Sequence, residues 1–170
     1  MRLELSNATE YQNRQCLLFA SYSVATSINE YKKRNQLDVK KIELDIYNGK
    51  LAEFMVYNYL VSKGRILASP DLNIYQKYQK SYDSDLCVNG VKIHVKSHVS
   101  NKLYPVSWLF QKNDPLIITH NEDYLALVVF KFNKRYMYLK KRSEVSFLEP
   151  IKNSLKANKL CLYESQFKKS

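Results

Sequence analysis

Asp83-Ser84-Asp85-Leu86-Cys87-Val88-Asn89-Gly90-Val91-Lys92-Ile93-His94-Val95-Lys96-Ser97-His98 is the stretch that decides the reading of this chain. Asn-Gly is the pair that a two-residue hairpin turn demands, because both central positions need a left-handed backbone. A turn at Asn89-Gly90 fixes the register. Val88 faces Val91, Cys87 faces Lys92, Leu86 faces Ile93, Asp85 faces His94, and further out Asp83 faces Lys96. Side chains alternate along a strand, so Leu86, Val88, Val91, Ile93 and Val95 form an apolar face. Asp83, Asp85, Lys92, His94, Lys96 and His98 form the other. The reading predicts a polar patch of two acids, two histidines and two lysines, anchored to a core by the reverse side of the same hairpin.

Upstream, residues 9 to 34 read as one helix. Thr9 and Gln12 form a capping box, and Leu17, Ala20, Val24, Ile28 and Tyr31 recur at helical spacing. Residues 37 to 47 are open between two readings, since Ile42, Leu44 and Ile46 alternate as in a strand while the segment can also extend a helix. The chain has only three glycines. Gly49 is read as opening a second helix over about 50 to 63, and Gly64 as its left-handed cap. A polar loop over 69 to 81 leads into the hairpin, and a connector carrying Trp108 and Phe110 leaves it. Tyr124 to Phe132 reads as a buried strand, Asn133-Lys134 as a turn, Tyr136 to Leu139 as a further strand and Leu160 to Tyr163 as a last one. This order predicts one α/β (α+β) domain over residues 1–170.

Lys and Arg number 27 against 16 Asp and Glu, a formal charge of +11. Such an excess attracts polyanions, and nucleic acid is the commonest of these in a cytosol. The longest apolar run, Leu125 to Phe130, is far short of the roughly 20 residues that span a bilayer. Cys16, Cys87 and Cys161 are widely spaced and odd in number, which argues against a disulfide framework or a zinc knuckle. The expectation is a cytoplasmic protein of bacterial, archaeal or viral origin, with no membrane partner.

The polar face of the hairpin suits phosphodiester hydrolysis. Carboxylates hold a divalent cation that polarises a phosphoryl oxygen, and a lysine beside it offsets charge in the transition state. The competing reading is a solvated face with weak cross-strand ion pairs. Asp85, an apolar strand, a tight turn and then His94-Val95-Lys96 resemble the PD-(D/E)XK nuclease superfamily. There an Asp begins one strand and a (D/E)-x-K triplet lies on the next. Glu53, in Gly49-Lys50-Leu51-Ala52-Glu53, is similar to the helix acid that often joins the site, and the resemblance covers roughly residues 48 to 140. The chain departs from the pattern at His94, where the family has an acid.

The resemblance implies a restriction-endonuclease-like core, a central mixed sheet flanked by helices, and a metal-dependent DNA endonuclease using Mg²⁺ or Mn²⁺. It assigns Glu53 and Asp85 to the metal and Lys96 to the nucleophile. His94 is left either as ligand or as general base, and Asp83 as a reserve acid. Tyr75, Lys77, Tyr78 and Lys80 in the polar loop, with Lys92 and Gln111, are the DNA-contact candidates, and His120 receives no role. Cutting both strands of a duplex suggests a homodimer. The rival expectations are an inactive DNA-binding protein of the same fold, a Holliday-junction resolvase and an RNA-directed protein.

Overall fold

In the computed structural model the Asn89-Gly90 turn has φ of 51° and 81°, left-handed at both positions. The model describes residues 1–33, 36–75, 84–101 and 103–168, Glu30 by its backbone alone. Strands β2 (Leu86–Val88) and β3 (Val91–Val99) flank the turn. They pair as Leu86↔Ile93, Cys87↔Lys92 and Val88↔Val91, the register expected from the sequence.

β3 lies inside a five-stranded mixed sheet of order β1-β6-β5-β3-β2. It runs parallel to β5 (Tyr124–Lys131), with His94 beside Leu125 and Lys96 beside Leu127. β6 (Lys134–Lys141) returns antiparallel, and β1 (Arg2–Glu4) closes that edge, Arg2 opposite Tyr138. The three-residue β1 was not expected, because so short a segment carries no measurable period. A second, two-stranded sheet joins β4 (Ser107–Gln111) to β7 (Lys159–Tyr163). The connector expected around Trp108 and Phe110 is thus a strand, held by five cross-strand pairs to β7.

The helices also differ from expectation in two respects. α1 (Glu10–Lys32) starts at the Thr9–Gln12 capping box as read. Its fully buried positions are Cys16 and Ala20, whereas Leu17 is exposed. Small residues therefore face the neighbouring helix. α2 is a single helix over Val39–Ser62, capped by the Asp38 side chain, so Gly49 lies in its middle and opens nothing. The alternation of Ile42, Leu44 and Ile46 misleads here: Ile42 is fully buried while Leu44 is exposed, as a helix turning through 100° per residue places them. Gly64, at φ 74°, ends α2 as predicted. Its N–H reaches Val61 O and the Arg65 N–H reaches Leu60 O, the paired bonds of a Schellman cap.

The two faces of the main sheet meet different partners. One, with Ile93, Val95, Ala126, Val128 and Met137, packs on Ala52, Met55 and Val56 of α2. The other, with Leu125, Leu127 and Val129, packs on Trp108, Phe110 and Leu162 of the second sheet. The Trp108 indole N–H donates to Val128 O at 3.1 Å and ties the two sheets together. The result is an α+β domain with a mixed sheet between a helical layer and a small sheet. Among the described residues no helix is long and apolar enough to cross a membrane.

Candidate active site and a histidine–aspartate cluster

The last β2–β3 pair is Leu86↔Ile93. Beyond it the ladder would leave the Val95 N–H open, and Asp85 fills that gap. Its Oδ2 accepts the Val95 N–H at 2.7 Å. The carboxylate is thereby fixed at the edge of β3.

Glu53 stands on α2, on the side of the sheet that the helix covers. Its carboxylate is 13% exposed and lies 2.6 Å from Lys50 Nζ, itself 11% exposed. Burial is the main reason its pKa rises to about 7; Asp85 and Asp71 raise it further, and Lys50 pulls the other way. Asp71 follows Pro70 in the loop after α2. It accepts the Asn73 N–H at 2.9 Å and the Tyr75 hydroxyl at 2.7 Å. Burial would raise its carboxyl, but these bonds and Lys50 hold it below the usual range. Glu53 is thus held against Lys50 and also feels the charges of Asp85 and Asp71, both of them exposed, in a chain of net charge +11. The acidic neighbours add negative charge near this buried acid, which favours a cation beside it.

His94 and Lys96 point away from this group. Strand alternation directs them toward the second sheet, where Lys96 Nζ lies 5.7 Å from the Phe110 ring centroid. The single polar patch expected from the hairpin is therefore divided: Asp85 bends back to the strand edge, and the side chains of β3 cross to the opposite face. His98 shares that face. Its Nε2 is buried without a hydrogen-bond partner among the described residues, and burial pushes its imidazole pKa down.

His94 instead meets two residues from the segment before β5. Its Nε2 is 2.8 Å from Asp123 Oδ2, and His120 Nδ1 is 3.0 Å from the same oxygen. Burial would raise the Asp123 carboxyl, but the hydrogen bonds and charges of the two imidazoles outweigh it and hold the pKa low. The segment is itself braced. Arg142 N–H donates to Asp123 O and Ser143 N–H to Asn121 O, while the Arg142 guanidinium reaches the Leu116 and Ile117 carbonyls of α3 (Pro115–Ile118).

Of the DNA-contact candidates, Tyr75 is bonded to Asp71, and Lys92 is half-buried on β3. Gln111 lines an open groove of about 470 Å³ with Lys33, Lys112 and Lys159. Lys77, Tyr78, Lys80 and the reserve acid Asp83 lie outside the described residues. The sequence reading sets the loop pair Pro70-Asp71 aside in favour of Asp85 and gives His120 no role, and it misses Lys50 and Asp123. The signal that could have found Asp123 is the parallel pairing of β3 with β5, which sets it two residues before the neighbour of His94. Comparison with protein-family models, curated proteins and solved structures finds no match for this chain.

Proposed function

We propose that the chain is a metal-dependent DNA endonuclease whose active site is the acidic group of Glu53, Asp85 and Asp71, on a PD-(D/E)XK-like core. The observation that carries this reading is the burial of Glu53 beside Asp85 and Asp71, which raises its proton affinity toward neutrality. A buried carboxylate with acidic neighbours is costly in a purely structural role, and a divalent cation would offset the cost. The donor chemistry fits a hard ion: carboxylate oxygens from Glu53 and Asp85 suit Mg²⁺ and also Mn²⁺. When bound, such an ion polarises a phosphoryl oxygen and acidifies a coordinated water.

The chain's own groups do the rest. Lys50, held against Glu53, supplies positive charge where phosphate charge accumulates. In this reading it takes the part that the family resemblance gives to Lys96, which stands over Phe110 across the sheet. His94 leaves the acidic site for its contact with Asp123. The net charge of +11 draws the DNA backbone to the surface, and a second copy would supply the site for the other strand.

The test is cleavage of supercoiled plasmid and of a four-way junction in Mg²⁺, Mn²⁺ or EDTA. Wild type should cut in either metal and stop in EDTA. Glu53→Gln and Asp85→Asn should each lose at least about a hundredfold, and Lys50→Ala should lose more than Lys96→Ala. DNA binding without cleavage in any metal would replace the nuclease with the inactive DNA-binding reading.

A further inference from the structure

We propose that His94, His120 and Asp123 form a binding site for a divalent transition metal, Zn²⁺ by preference, separate from the acidic group. This goes beyond the nuclease reading and does not depend on it.

The first argument is the donor set. Two imidazole nitrogens and one carboxylate oxygen are the ligands of a three-residue zinc centre, in which water takes the fourth position. Hard, oxygen-preferring Mg²⁺ is a poor match for two nitrogens. The nitrogens that face inward are His94 Nε2 and His120 Nδ1, and both aim at Asp123 Oδ2. One donor atom from each residue lies within 4.8 Å of the other two. Tetrahedral bonds of about 2.1 Å require donor separations near 3.4 Å. The two short contacts need to open slightly and the imidazoles to close by at most about 1.4 Å, a shift within reach of side-chain torsions.

The second argument is the scaffold. His94 is fixed on a central strand, 7% exposed. Asp123 immediately precedes β5, the parallel neighbour of that strand. His120 is on the loop that Arg142 and Ser143 brace through backbone bonds. The ligands thus come from two elements that the sheet already holds together, which limits the ordering cost of binding.

The third argument is access. The side chains of His94, Asp123 and His120 are 9%, 13% and 31% exposed. The cluster is closed on the core side and open past His120, so an ion can enter and keep a water on that side. A site of this form tethers the 120–123 loop to β3 and leaves one coordination position exchangeable.

The contrasting possibility is an Asp123 carboxylate that merely bridges two imidazoles by hydrogen bonds. The experiment is Co²⁺ titration of the metal-free full-length protein, read by visible absorption, followed by Zn²⁺ displacement and thermal melts with Zn²⁺. With Mg²⁺ in excess to fill the acidic group, the expected result is one Co²⁺ per chain with the strong bands of tetrahedral coordination, displaced by Zn²⁺, and a Tm that rises with Zn²⁺. His120→Ala and Asp123→Ala should weaken Co²⁺ binding by at least about tenfold and abolish the rise in Tm. His120 is partly exposed, so its removal is the safer variant for folding, with circular dichroism as the check. Cys87→Ser should bind Co²⁺ as wild type does. Absence of the cobalt bands, or unchanged binding in both His120→Ala and Asp123→Ala, would overturn the proposal. Loss of binding in Cys87→Ser would overturn it too, by assigning the ion to the exposed thiol.

Discussion

Replacing Glu53 with Gln isolates the free energy stored in one buried carboxylate. The folded chain holds this group near pH 7 and the ordinary value is 4.5. The native state therefore binds the proton more tightly than the unfolded state does. The stability contributed by protonation is complete below pH 4.5 and is lost as pH rises through about 7. At about 1.36 kcal/mol per unit, the full loss is roughly 3 kcal/mol at pH 8 and under about 1 kcal/mol at pH 5. Gln mimics the protonated acid and does not titrate. Its other effects, such as the lost partner for Lys50, are nearly constant over this range and cancel when two pH values are compared. Urea unfolding in EDTA should therefore show wild type losing about 2.5 kcal/mol relative to Glu53→Gln between pH 5 and pH 8. Saturating Mg²⁺ should return a comparable amount to wild type at pH 8, about 2.7 kcal/mol at a hundred times Kd, and none to the variant. A gap that stays constant with pH to within about 0.5 kcal/mol would refute the account of Glu53 as a strained acid.

Three further outcomes follow from other parts of the molecule. Glu164, buried under Tyr136, Tyr138 and Lys168, behaves with the opposite sign. Burial alone would raise its carboxyl, but the bonds from Lys168 and the two tyrosines outweigh that and hold it below 4.5. Its stabilisation is present above that value and lost as pH falls through the folded pKa, so Glu164→Gln should flatten the acid limb of the stability curve in urea titrations. Gly90→Ala meets no atom within 4 Å but keeps φ at 81°, and should cost about 1–2 kcal/mol in chemical denaturation. Phe132, 78% exposed with φ 50° in the β5–β6 turn, loses strain on replacement by Asn, and the variant should gain about 0.5–1 kcal/mol in the same assay.

The hairpin was legible because its determinants are local: Asn89-Gly90 sets the turn, and a two-residue turn leaves one register. The Thr9–Gln12 box and the Gly64 cap were legible for the same reason. α2 was read short because Gly49 looked like a boundary. The Asp38 cap and the burial of Ile42 against its surroundings carry the helix through that glycine. The distribution of site residues was only partly legible. Alternation correctly put His94, Lys96 and His98 on one face, but which layer covers that face depends on β4 and β7, about 50 residues apart in sequence. Asp71 and Asp123 reach their clusters through loops, where no period announces them.

The pairing of β1 with β6 has a consequence for the chain as it is made. Arg2 finds its neighbour in Tyr138, 136 positions later. At roughly 5–20 residues per second, the first strand waits on the order of ten seconds for its partner to be synthesised. Ala52, Met55 and Val56 wait more than half as long, since Ala126, Val128 and Met137 complete their surroundings. The nascent chain thus carries an apolar helix face with nothing yet to cover it.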